Sequence, residues 1–162
     1  MQAKNKKIKI FFIVVFVCYI VVLFMFVVLK VNYEALCITK ECIKMNRRSG
    51  FWNYNMILFK TLKTYFNSNS SLGIENIVGN IVPFIPMGFI LGFILNKHKF
   101  RNIFLISLII VTIFESIQFV ACVGYFDIDD IILNVISSMV GYLIYLCFTR
   151  KVNSIVKELK AQ

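Results

Sequence analysis

The chain has 162 residues, of which 59% are hydrophobic and 15% aromatic, and its formal net charge is +10. So large an apolar share excludes an ordinary soluble domain. The basic residues lie mainly in segments that flank long apolar blocks, so they indicate membrane topology rather than nucleic-acid binding. We therefore expect a single membrane domain over residues 1–162.

Five cysteines and one histidine restrict the metal chemistry that the chain can support. No two cysteines form a C-x-x-C pair, so we predict neither a zinc site nor any other cofactor. No Ser/His, Cys/His or H-E-x-x-H arrangement marks a catalytic residue. Cys37 and Cys42 would form a disulfide only in an oxidising compartment, and their spacing is not diagnostic.

The first apolar block, residues 10–29, follows four lysines and contains no charge. Its length is that of a membrane-spanning helix. A cleaved signal peptide is the competing interpretation, but the block is long for one and the K-V-N-Y that follows offers no small-residue cleavage site. We expect it to remain as an anchor.

A mixed connection, residues 30–72, follows and carries seven basic and two acidic residues. Within it, residues 52–66 have helical periodicity, and one face would collect Trp52, Met56, Phe59, Leu62 and Phe66. This pattern predicts a helix lying at the membrane interface, although a loop helix packed on the bundle explains it equally well. Residues 67–73, N-S-N-S-S-L-G, are typical of a linker.

The second span, residues 74–95, is interrupted by Pro83 and Pro86. Each proline removes a helical hydrogen bond, so a kink is expected in mid-membrane. Gly88 and Gly92 form a small-x-x-x-small pair, which is typical of a helix face that packs closely on a neighbour.

Residues 103–123 and 131–148 complete a predicted all-α bundle of four transmembrane helices. The positive-inside rule places both termini and the basic turn 97–101 in the cytoplasm, and the acidic loop 124–130 outside. The seven basic residues of the first connection conflict with this orientation, because they would also face out.

Seven polar residues in the last three spans and the acidic loop are the candidate ligand-binding residues: Asn76, Asn80, Glu115, Gln118, Asp127, Asp130 and Asn134. At 1.5 Å of rise per residue, the second and third of these lie about 9 and about 12 Å below the outer helix ends. A carboxylate facing lipid there is costly, so we expect an outward-opening polar pocket between the three helices. The alternatives are that the amides bond helices together, that Asp127 merely ends a loop, and that Asp130 caps the last helix.

Four segments of the sequence stand out together: N-M-I-L-F-K-T-L (55–62), N-I-V-G-N-I-V-P-F-I-P-M-G-F (76–89), E-S-I-Q (115–118) and D-I-D-D-I-I-L-N (127–134). In this order they resemble the VanZ-like family. Family members often carry an arginine just before the acidic turn, whereas this chain has none there. Arg47 or Arg48 of the first connection is the alternative source of positive charge.

The resemblance implies a multi-pass protein of the bacterial cell membrane that is associated with tolerance of teicoplanin and related lipoglycopeptides. We expect a non-enzymatic envelope protein whose pocket binds a cell-wall lipid precursor or the antibiotic, with membrane lipid as its other partner. A membrane enzyme that uses Glu115 and Asp130 as acid and base or as cation ligands is the first alternative. A small transporter is the second.

Overall fold

The computed structural model describes residues 2–28, 33–67, 71–95 and 100–161. Its helices are α1 (Gln2–Val27), α2 (Tyr33–Arg48), α3 (Lys60–Asn67), α4 (Ser71–Ile81), α5 (Ile85–Leu95), α6 (Phe100–Ala121) and α7 (Ile128–Ala161), and its two short strands are β1 (Tyr54–Asn55) and β2 (Phe126–Asp127). Residues 97–99 of the predicted basic turn 97–101, which include the lone histidine, lie outside the described residues.

Within the described residues, four stretches are long and apolar enough to cross a membrane: Lys6–Val27, Ile74–Leu95, Phe100–Ala121 and Ile128–Leu159. The predicted all-α membrane bundle is therefore confirmed. The last helix extends beyond its predicted end at residue 148, because α7 continues for 34 residues through the basic tail. Large apolar side chains are exposed along the outer faces of these helices, as expected of surfaces that contact lipid.

The second span is two helices joined by a single 3-10 turn, Val82–Phe84, that contains Pro83. Proline has no amide hydrogen and cannot continue the α-helical bonding pattern, so the helix changes type where it occurs. The hydroxyl of Tyr19 on α1 donates a hydrogen bond to the Pro83 carbonyl. A neighbouring helix thus provides a partner at the interruption, as an apolar surrounding requires.

Helices α5 and α7 pack most closely, and glycines make this approach possible. A β-carbon on Gly88 would lie 1.7 Å from the Ser138 carbonyl oxygen, and one on Gly141 would lie 1.8 Å from the Ile85 carbonyl oxygen. A β-carbon on Gly92 would lie 2.4 Å from the ring of Tyr145. The small residues therefore set the separation of the two helix axes.

The connection between the first two spans differs from its prediction. Residues 52–59 are not helical, so the predicted helix 52–66 is reduced to α3, and Phe59 has a positive φ of 61° where that helix begins. Helix α2 was not predicted, although Leu36 and Ile43 lie two turns apart on the face that it buries. The predicted linker 67–73 is also shorter, because α4 starts at Ser71, and residues 68–70 lie outside the described residues.

Candidate functional site

A cavity of about 560 Å³ opens at the end of the bundle where α4 and α7 begin and α6 ends. Six of the seven predicted residues line it: Asn76, Asn80, Glu115, Gln118, Asp127 and Asp130. The structure thus brings together residues that lie up to 54 positions apart in the sequence. Whether they bind a ligand remains a prediction.

The deep wall of the cavity is formed by α6 through Glu115 and Gln118. The Glu115 side chain is 3% exposed, and its Oε2 lies 3.4 Å from the backbone nitrogen of Asp127, which donates to it. Gln118 packs on the turn that follows α6, where a β-carbon on Gly124 would lie 2.3 Å from Gln118 Oε1. Glycine at this position therefore leaves room for the amide beside the cavity.

Asp127 caps the N-terminus of α7 and also contacts the connection. Its Oδ1 accepts a hydrogen bond of 2.9 Å from the backbone N–H of Asp129, in the geometry of a helix N-cap. Its Oδ2 accepts a bond of 2.5 Å from the Thr61 hydroxyl, and Asn55 Nδ2 lies 3.3 Å from Oδ1. The carboxylate is more than the end of a solvated loop.

Asp130 connects α7 to α4 instead of capping its own helix. Its Oδ1 accepts a hydrogen bond of 2.6 Å from Asn80 Nδ2. The alternative that Asp130 caps the last helix is therefore wrong, because α7 begins at Ile128 and Asp127 occupies the capping position. The contact crosses between helices that the sequence predicted to face each other.

Asn134 does not line the cavity. It is 1% exposed, and its Oδ1 is a buried oxygen without a hydrogen-bond partner among the described residues. Its position one turn after Asp130 carries it further into the bundle, to the level where the helices close on each other. The polar stripe that reaches the cavity thus ends at Asp130.

Sequence reasoning missed the contribution of the first connection to the site. Asn55, Lys60, Thr61 and Tyr65 line the cavity, and the strand pair β1–β2 lays the connection along the start of α7. The segment 55–62 carried part of the family resemblance, and that was the available signal. Distance along the chain hid the rest, since no local pattern indicates a pairing between Asn55 and Asp127.

Asp129 fixes the connection in place. Its side chain is 1% exposed and accepts hydrogen bonds from the backbone N–H groups of Phe59 at 2.7 Å, Thr61 at 2.9 Å and Leu62 at 3.3 Å. These donors are the residue before α3 and two residues of its first turn, where a negative charge also interacts favourably with the helix dipole. A carboxylate from a distant helix therefore acts as the cap of α3.

Arg47, considered as a partner for the carboxylates, has other contacts. Its Nε donates a 2.8 Å hydrogen bond to Asn53 Oδ1, and a terminal nitrogen donates to the Phe119 carbonyl at 2.5 Å. The guanidinium lies 4.7 Å from the ring centroid of Phe119 and 5.3 Å from that of Trp52. The positive charge thus stabilises the C-terminal end of α6.

The cavity is acidic although the protein is basic. Glu75, Glu115, Asp127 and Asp130 line it, and Lys60 is its one basic lining residue among the described part of the chain. Burial, and after it the negative charges of Asp130, Asp127, Glu115 and Asp129, together raise the pKa of Tyr65 from 10.0 to about 12.

The described residues contain no group of three or more His, Cys, Asp or Glu placed to hold a metal ion. The geometry offers carboxylates and amides on converging elements, which can accept and donate hydrogen bonds to a polar or cationic ligand.

The fold and the cavity define a multi-pass helical membrane protein with a polar pocket at one end of its bundle. The family model described as VanZ/LLP1 matches residues 16–149, and the chain belongs to this family. It is 31% identical over 71 residues to protein VanZ of Enterococcus faecium, a match that covers 44% of each chain. No solved structure matches the chain.

Proposed function

We propose that this VanZ-like envelope protein lowers susceptibility to teicoplanin-class glycopeptides by binding a cell-wall lipid precursor or the antibiotic in its polar cavity. The cavity carries the proposal, because it gathers buried carboxylates and amides from three spans and from the first connection. Carboxylates are retained at membrane depth only where they face a polar partner or water. A cavity of about 560 Å³ lies in the usual range for ligand sites, about 300–1,000 Å³.

The positive-inside rule supports an outward opening. The charged N-terminal segment and the C-terminal part of α7 lie at the opposite end of the bundle from the cavity, and both are rich in lysine. With these segments in the cytoplasm of a bacterial cell, the cavity faces the side on which glycopeptides act. The basic connection is held on the cavity side by its bonds to Asp127 and Asp129.

The test is expression in a teicoplanin-susceptible bacterium. We expect wild type to raise the inhibitory concentration of teicoplanin, and we expect Glu115→Gln and Asp130→Asn to remove most of that protection. Glu158→Gln is the control, because it removes a carboxylate from the exposed end of α7. Unchanged susceptibility with wild type, or full protection by both site variants at equal membrane levels, contradicts the proposal.

A membrane enzyme is the second candidate function. It is favoured by two carboxylates on different helices that line one cavity in different surroundings, since Glu115 is buried and Asp130 is half-buried. Such a pair is suited to general acid and base roles on a lipid-linked or peptide substrate. Mass spectra of lipid extracts from expressing cells test this: a modified precursor that Glu115→Gln abolishes supports the enzyme, and identical spectra argue against it.

A further inference from the structure

The strand pair β1–β2 separates two cavities of opposite character. It pairs Tyr54 with Phe126 and Asn55 with Asp127 in parallel register. Successive side chains of a strand point to opposite faces, so each strand presents one apolar and one polar side chain. Asn55 and Asp127 line the acidic cavity, whereas Phe126 lines a second, apolar groove, and Tyr54 borders both.

The groove has a volume of about 360 Å³ and an almost entirely apolar lining: Tyr54, Met56, Ser116, Phe119 and Phe126. Of the two hydroxyls among these residues, that of Ser116 is already bonded, since its Oγ donates a 2.7 Å bond to the Thr112 carbonyl of its own helix. Such a surface at the end of a membrane-spanning helix is suited to a hydrocarbon chain.

The loop that forms the groove also has the polarity expected of a lipid-facing segment. Asn53 is 3% exposed and Asn55 is half-buried, whereas their neighbours Tyr54, Met56 and Ile57 are all more than half exposed. A soluble protein would bury the apolar members of this alternation and expose the amides. The groove therefore opens towards acyl chains.

The charges of the adjoining cavity select the ligand's polar end. Among the described residues, its lining has four carboxylates and one lysine, so a wholly anionic headgroup would be repelled and an ammonium group attracted. Lys60, at the rim, is available to a phosphate that accompanies the ammonium. Only the thickness of one strand pair separates the cavity from the groove. The ligand's ammonium group and its acyl chain must therefore be joined through a short headgroup.

We propose that the site binds a phospholipid whose headgroup bears a primary ammonium. The ammonium lies among Glu115, Asp127 and Asp130, the phosphate contacts Lys60, and one acyl chain occupies the groove. The inference rests on the proposed function of the cavity as a ligand site, and it specifies the chemical class that the site takes.

The test uses native mass spectrometry of the full chain in detergent. The probes share the same acyl chains: phosphatidylethanolamine, its N-acetyl derivative, in which the ammonium is lost, and phosphatidylglycerol. We expect phosphatidylethanolamine to bind about tenfold more tightly than the other two, since pairing a desolvated charge is worth at least that factor. Glu115→Gln and Asp130→Asn should each remove the preference.

Ser116→Phe tests the groove, because the added ring occupies it. We expect this variant to weaken phosphatidylethanolamine binding, and Ile113→Phe, on an exposed part of the same helix outside the groove, to leave it unchanged. The comparison of lipids on the unaltered protein requires no variant and so does not depend on folding of a mutant.

Equal affinity for phosphatidylethanolamine and its N-acetyl derivative overturns the inference, and so does a preference that both carboxylate variants retain. If teicoplanin binds in a manner that depends on Glu115 while the lipid preference is absent, the inference is wrong and the proposed function stands. A lipid preference lost in the variants, without any protection of cells, supports the inference and rejects the proposed function.

Discussion

Asp129→Asn should release the first connection from the bundle. In wild type, Oδ1 accepts one backbone N–H, from Phe59, and Oδ2 accepts two, from Thr61 and Leu62. Asparagine has one acceptor oxygen, so its amide nitrogen must face at least one of these donors. Losing one charge-assisted bond, leaving a donor unpaired and removing the charge near the helix N-terminus should together cost about 2–4 kcal/mol.

Hydrogen exchange followed by mass spectrometry measures this effect locally. We expect peptides that cover residues 57–67 to exchange faster in Asp129→Asn, with little change in α5 and the middle of α7. Glu41→Gln is the matched control, because it removes a carboxylate from the same connection that forms an exposed ion pair with Lys44, at 3.1 Å. Wild-type exchange at residues 57–67 in the Asp129 variant would refute the capping role.

Three further predictions concern packing, charge and pH. Gly141→Ala should lower the free energy of unfolding in detergent by about 1–3 kcal/mol, because the new β-carbon would clash with the backbone of α5. Gly79→Ala should be neutral or slightly stabilising, because a β-carbon at that position would have no atom within 4 Å. Arg47→Lys should shift the fluorescence of the single tryptophan by removing the stacked guanidinium, while the exposed Arg48→Lys should leave it unchanged. Because the pKa of Tyr65 is raised to about 12, its contribution to stability is complete below pH 10 and is lost as pH rises towards about 12. The free energy of unfolding should therefore decline less over this pH window in Tyr65→Phe than in wild type. An identical alkaline decline in that variant would contradict the assignment.

The match to VanZ covers 44% of the chain and 44% of the relative, while the family model extends over residues 16–149. The cavity and groove residues all lie within that range. The family domain therefore contains both the cavity and the groove.

The interior of the second span illustrates where local rules are sufficient. Pro83 interrupts the helix in any context, because it lacks an amide hydrogen, and the structure has its 3-10 turn there. Gly88 and Gly92 predicted a close helix contact, and the structure identifies α7 as the partner. The sequence was informative here because the cause lies within a few residues.

The connection illustrates where local rules fail. Helical periodicity over residues 52–66 was present, but Asn53 and Asn55 bond to distant groups, Asn53 Nδ2 reaching the Gly124 carbonyl at 2.5 Å. These contacts extend the chain as a strand beside β2, and α3 begins only where Asp129 caps it. The helical periodicity of residues 52–66 is only a weak preference, and the bonds from Asp129 and the two asparagines outweigh it.

The sequence by itself determined the membrane class, the four spans, the interruption of the second and six of the residues that line the cavity, because apolar block length and the cost of buried charge are properties of short segments. Only the tertiary structure decided that Asp127 bonds to Thr61, that Asp129 holds the connection, that Arg47 stabilises the end of α6 and that Asn134 is enclosed. Each of these depends on which groups meet across more than 50 residues of chain or on how deeply a helix is enclosed, and neither is encoded in local periodicity.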